Sequence, residues 1–228
     1  MEEISPRAVL FDAYGTLFDP FSVGVLADQL FPGHGERLAA LWRDTQIEYT
    51  RLTSMSGVDG ERYRPFWELT RASLRFTAER LGLSLTAQAE DELMGQYRRL
   101  SAFPEDREVL EALTARGIRA GILSNGDPDM LAAAVESAGL VELLDPVLSV
   151  HETRRFKTDP ATYALGPQTL GLPAAQILFV SSNGWDAIGA TWFGYTTLWV
   201  NRAGLPLERL DTEPTRVGTS LRDVLTFF

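Results

Sequence analysis

The chain has no cysteine among its 228 residues. That absence excludes disulfides, thiolate metal sites and cysteine nucleophiles together, and it fits a reducing compartment. No apolar run approaches the ~20 residues needed to span a bilayer. The start Met1-Glu2-Glu3-Ile4-Ser5 is acidic and lacks the apolar stretch of a leader, so the expected location is cytoplasmic. Positive charge is scarce: 21 Lys and Arg against 31 Asp and Glu leave a net charge of -10, which argues against nucleic acid or an anionic membrane as partner. A small anionic substrate stays possible, because exposed charges are screened beyond about 8 Å at physiological salt and one or two cations in a pocket decide locally. Histidine is scarce as well, and neither His34 nor His151 is assigned a role.

What is present is a rhythm of strands and helices with one interruption. Val9-Leu10-Phe11 is a short apolar strand that delivers Asp12 to its C-terminal end, followed at once by a turn containing Gly15. From Phe21 to Leu100 the pattern is helical: Leu38, Leu41, Trp42, Thr45 and Tyr49 recur at helical spacing, as do Phe66, Leu69, Leu74, Phe76 and Leu81. Gly82 closes one helix, and Thr86 with Glu90 opens another. From Pro104 onward strands alternate with helices. Glu105 to Arg116 is a predicted helix, and Ala120-Gly121-Ile122-Leu123 a buried strand. Asp127-Pro128 is a predicted N-cap and first turn for the next helix. Strands follow at Val147 to Val150, Ile177 to Val180 and Thr197 to Val200, with a helix opened by Asp159-Pro160 among them and a closing helix from Ser220 to Phe228. The expected fold is α/β, a Rossmann-like parallel sheet interrupted after its first strand by a helical cap. The boundaries expected are 1–17 and 101–228 for the core and 18–100 for the cap.

Ligands of an open α/β sheet bind at the C-terminal strand edge. In this topology that edge gathers Asp12, then Ser124 with Asn125, then Lys157, then Ser181, Asn183 and Asp186. Any one of these is ordinary turn chemistry; their recurrence at successive strand ends is what makes a site. Phe11-Asp12-x-Tyr14-Gly15-Thr16-Leu17 resembles the nucleophile motif of the haloacid dehalogenase superfamily. Leu123-Ser124-Asn125-Gly126, the lone Lys157 and Val180-Ser181-Ser182-Asn183-Gly184-Trp185-Asp186 resemble its other three motifs, in the same order. Ala40-Leu41-Trp42-Arg43 and Glu48-Tyr49-Thr50 are similar to the cap of the L-2-haloacid dehalogenases in particular.

Most members of that superfamily are magnesium-dependent phosphotransferases, which need a second acid two residues after the nucleophile and further carboxylates for the metal. This chain has Tyr14 in the first place, with an ordinary pKa near 10 that suits general-acid work poorly. It has Ser181-Ser182 where a Gly-Asp pair is usual. A halide leaving group needs no proton and attack at saturated carbon needs no metal, so no cofactor or metal is expected. The resemblance implies that Asp12 displaces halide from C2 of a short (S)-2-haloacid with inversion, forming an ester that water then hydrolyses to the (R)-2-hydroxyacid. A phosphatase-like hydrolase and a silent binding module on the same scaffold are the alternatives.

The other roles follow from position and chemistry. Lys157 holds Asp12 ionised; Thr16 and Ser181 hydrogen-bond its oxygens; Asn183 and Asp186 position Lys157 and the hydrolytic water. Ser124 with the backbone N–H groups at the helix start suits the substrate carboxylate. Arg43 meets the departing halide, with Asn125 assisting. Tyr14, Ile47, Phe66 and Trp185 are candidate apolar walls, and Tyr163 matches a family position near Lys157. The lysine motif is commonly Lys-Pro, whereas this chain has Lys157-Thr158. Residues 54–60 have no clear counterpart in the family's cap. Trp42 and Trp67, if exposed, are candidates for a homodimer face, and core packing explains them equally well.

Overall fold

The computed structural model describes residues 5–228; the acidic start Met1 to Ile4 lies outside them. Six strands form one parallel sheet. They are β1 (Ala8–Phe11), β2 (Arg119–Ser124), β3 (Val147–Ser149), β4 (Ile177–Ser181), β5 (Thr196–Val200) and β6 (Arg216–Gly218), in the order β3-β2-β1-β4-β5-β6. β1 and β4 are buried at every position, as strands covered on both faces must be, which explains their continuous apolar runs. β1 lies between β2 and β4, so the strand order reverses at its flank. Asp12 therefore leaves the sheet at the switch point where such folds open a crevice.

Eight α-helices are described: α1 (Gly24–Leu30), α2 (Gly35–Met55), α3 (Phe66–Arg80), α4 (Ala87–Tyr97), α5 (Asp106–Ala115), α6 (Pro128–Ser137), α7 (Pro160–Leu170) and α8 (Gly184–Phe193). The first four follow β1 and pack on one another, with no strand among them. α5 to α8 pack on the sheet. Thr86 caps α4 by accepting from the Ala89 N–H, as its position predicts.

The structure departs from expectation at five points. Strand β6 was not foreseen, because Arg-Val-Gly has one apolar residue and sits at an exposed edge. The closing segment is 3-10 helix (Leu221–Phe227), held at its start by a Ser220–Asp223 capping box. Asp127 does begin α6, but its side chain does not cap it. The carboxylate reaches instead to the Phe66 and Trp67 N–H groups at 3.0 and 2.7 Å, satisfying the open start of α3. Trp42 is not exposed: it is buried and its indole N–H donates to the Thr70 carbonyl at 2.8 Å, joining α2 to α3. Trp67 is half-buried beneath the Arg98 guanidinium. Neither describes an open apolar face.

Residues 54–60, which resisted sequence reading, dock on the loop that precedes Lys157. Ser54 Oγ accepts from the Phe156 N–H at 2.7 Å, the Ser54 carbonyl from Arg155 at 2.7 Å, and the Gly60 carbonyl from Arg154 at 3.1 Å. The end of α2 is thus tied to the lysine loop.

Candidate active site

Asp12 is buried at 5% exposure, with each carboxylate oxygen separately held. Oδ1 accepts from the Lys157 ammonium at 3.0 Å. Oδ2 accepts from the Asn183 amide at 2.8 Å and, more weakly, from the Thr16 hydroxyl at 3.3 Å. The turn after β1 makes this possible: Gly15 takes φ +100°, a conformation that side chains disfavour, and an added Cβ there would meet Asn183. Thr16 Oγ1 also accepts from the Ser182 N–H at 2.8 Å, which directs its own proton toward Asp12.

Lys157 is fully buried, and its Nζ also donates to Asp186 at 2.9 Å. Burial alone would lower its pKa, but the two carboxylates outweigh burial and the net shift is upward, so the ammonium keeps its charge. Asp186 is pushed up to about 6, first by burial, against the opposing pull of Lys157 and with the nearby Asp12 charge adding to the rise. The two acids share one cation, and Asp186, the less exposed, titrates upward. Tyr163 donates to the other Asp186 oxygen at 2.7 Å, and its burial beside that carboxylate holds the phenol well above its ordinary value.

Arg43, on α2, is buried and donates to the Tyr14 carbonyl at 2.9 Å and to the Gln46 amide oxygen at 2.7 Å. Gln46 also accepts from the Tyr97 hydroxyl at 3.0 Å and donates to Thr70 at 2.6 Å. Sequence reasoning missed Gln46, although it lies one turn from Arg43 on the same helical face, which was a usable signal. It missed Arg202 as well, just beyond β5. That guanidinium donates to the Gly15 and Thr16 carbonyls, to Ser182 Oγ and to Glu105, bracing the turn that follows Asp12. A strand-end cation was the signal there.

Two expected contacts are absent. Ser181 does not reach Asp12; its hydroxyl accepts from the Asn183 N–H at 3.1 Å and so shapes the turn that presents Asn183. Asn183 itself bonds Asp12 and the Tyr14 carbonyl rather than Lys157. Ser124 Oγ accepts from the Gly126 N–H, and Asn125 Oδ1 accepts from the Lys157 backbone N–H at 3.0 Å, fixing the lysine's loop to the end of β2. Arg43, Ile47, Asn183 and Trp185 line one cavity of about 390 Å³, with Gly15 beside them, and Asp12 lies one hydrogen bond behind Asn183. Tyr14 and Phe66 do not line it. They stack on each other at 5.6 Å between centroids, and the Tyr14 ring lies so close to Gly126 that any Cβ there would clash. Burial holds the Tyr14 hydroxyl well above its ordinary pKa.

A buried carboxylate at a strand end, with an ammonium and an amide fixing its oxygens, is an arrangement suited to a hydrolase of the kind that works through a covalent carboxylate intermediate. A haloacid dehalogenase-like hydrolase family model matches residues 6–194, and the chain belongs to that family. It is 44% identical over 222 residues, 97% of this chain and 94% of the other, to an (S)-2-haloacid dehalogenase of a Pseudomonas species (strain YL). A crystal structure of an L-2-haloacid dehalogenase superposes with a TM-score of 0.96 at 58% identity, covering 98% of each chain. Another, from Xanthobacter autotrophicus with chloropropionic acid covalently bound, superposes with a TM-score of 0.87 at 36% identity, covering 96% of each chain. The residues do not fit a magnesium ion: Asp12 and Asp186 are both engaged by the Lys157 ammonium, and Tyr14 and Ser182 offer no carboxylate.

Proposed function

We propose that the protein hydrolyses short (S)-2-haloacids to (R)-2-hydroxyacids through an ester on Asp12, without a metal, in a cavity between a core (1–17 and 101–228) and a cap (18–100). The observation that carries this reading is the Lys157 ammonium shared between Asp12 and Asp186, with Tyr14 rather than an acid two residues after the nucleophile. The likeness to the haloacid dehalogenases supports the substrate class.

In the first step an Asp12 oxygen attacks C2, the carbon–halogen bond breaks with inversion, and the halide leaves with the bonding pair. Arg43 is the cation for the leaving anion, Ile47 and Trp185 supply apolar wall, and the attacking carboxylate is itself buried and so poorly hydrated. In the second step water adds to the Asp12 carboxyl carbon and the bond from that carbon to the substrate oxygen breaks. That oxygen takes up a proton to become the hydroxyl of the departing 2-hydroxyacid, and Asp12 is restored as the carboxylate with one net proton released. The water's proton needs an acceptor, and Asp186, joined to Asp12 through Lys157, is the nearest carboxylate in the network. Ser124 and the turn after it are assigned to the substrate carboxylate. Single-turnover hydrolysis of L-2-chloropropionate in H₂¹⁸O, with mass spectrometry of the peptide carrying Asp12, tests the route. Label in Asp12 is expected; label in the product alone would refute the ester, and no halide release from any short haloacid would refute the activity.

A further inference from the structure

The outer wall of the cavity carries charges that this reaction scheme does not use. α2 presents Arg43, Ile47 and Arg51 four residues apart, hence on one helical face, with Asp44 and Glu48 alongside, and all five line the cavity. Arg43 and Ile47 are buried and form the inner wall, whereas Asp44, Glu48 and Arg51 are exposed and form the rim. The Arg51 guanidinium lies 5.2 Å from the centroid of the Trp185 ring on α8, so it is held across the cavity by an aromatic face rather than by a carboxylate. Removal of Arg51 would leave that rim with two acids and no base. Both the substrate and the products of the proposed reaction are anions, and the whole chain is acidic at -10. A cation at the rim is what brings a small anion past that field.

We propose that Arg51 is the entry cation of this cavity, drawing the 2-haloacid carboxylate to the rim before it passes to the inner wall. The assignment rests on the haloacid reading above. Arg51 touches no reacting atom, so its effect falls on capture of the substrate and appears in kcat/KM through KM. Rim charges are exposed, so added salt screens them.

The test compares wild type, Arg51→Gln and Arg51→Lys by halide release from L-2-chloropropionate at low and high ionic strength, with thermal midpoints measured to verify folding. In Arg51→Gln, kcat/KM is expected to fall about fivefold at low salt and to climb back toward wild type as salt rises. Arg51→Lys keeps the charge and is expected to stay within about twofold of wild type. An unchanged kcat/KM in Arg51→Gln would overturn the proposal, as would a deficit that salt leaves untouched. A loss in Arg51→Lys equal to that in Arg51→Gln would assign the effect to stacking on Trp185 and overturn the charge role. Wild-type turnover serves as the separate control: no halide from the wild type sinks the haloacid reading itself.

Discussion

Replacing Lys157 with methionine removes the ammonium that two buried carboxylates share while keeping a flexible side chain of similar length against the Phe179 ring. Removing one partner of a buried, hydrogen-bonded ion pair costs about 3–5 kcal/mol, because the remaining charge is left desolvated. Here two like charges are left, and the fold can relieve them by taking up a proton. Asp186 already stands at about 6 with the ammonium pulling it down, so without Lys157 it moves higher. A carboxylate whose folded pKa exceeds its unfolded value near 4 takes up a proton on folding, so its contribution to stability falls as pH rises through that window. The deficit of Lys157→Met is therefore smallest at pH 5 and grows toward its full size by about pH 8.5, each pH unit adding up to about 1.4 kcal/mol. Urea unfolding at pH 5, 7 and 8.5, for both proteins, measures it. Halide release should fall by about 1000-fold or more, since one lost transition-state donor costs roughly 100- to 1000-fold and Lys157 also fixes one oxygen of Asp12 in place. A deficit equal at all three pH values, or activity within tenfold of wild type, would refute the shared-ammonium account.

Tyr163→Phe removes the 2.7 Å bond that favours the ionised form of Asp186, so the acidic limb of the kcat/KM profile, expected near pH 6, should move upward by roughly half a unit to one unit; an unmoved limb would show that Asp186 does not set it. Asp106, at 1% exposure with one oxygen lacking any partner, is pushed up to about 8, chiefly by burial. It keeps its proton in the fold from about pH 4 to 8 while the unfolded chain does not, so its contribution falls as pH rises. Asp106→Asn should flatten that decline, with thermal midpoints at pH 6 and 9 differing less than in wild type.

The parts of the site legible in the sequence were those fixed by chain order. A strand ending in Asp12, and later strands ending at Ser124 and Ser181, converge on one edge whatever the helices do, because parallel strands in one sheet share a direction. The errors lie in short-range choices among nearly equal partners. Ser181 and Thr16 are both hydroxyls near Asp12, but a turn consumed one and left the other facing the carboxylate. Asp127 had two open helix starts within reach and served the more distant in sequence, 60 residues away, which no local pattern discloses. Trp42 shows the limit from the other side. A dimer face and core packing were equally open for it, because helical spacing fixes which residues share a face, not which face meets another element.

On the proposed reading, Tyr14 and Lys157 together favour halide displacement over phosphoryl transfer. A phosphatase requires a proton donor for an alkoxide and a cation with open coordination positions to bridge nucleophile and phosphoryl oxygens. Burial makes the Tyr14 hydroxyl a worse acid than an ordinary phenol, and its ring is packed over Gly126. An ammonium at 3.0 and 2.9 Å from two carboxylates has spent donors on both and has no coordination shell to share. Displacement of a halide asks for neither service. It asks for an oriented, poorly hydrated carboxylate and a cation for the departing anion, and Arg43 can still serve as that cation. A guanidinium carries about five N–H donors, and the bonds to Tyr14 and Gln46 take one from each terminal nitrogen, fixing the plane of the group while leaving the remaining N–H groups to meet an anion.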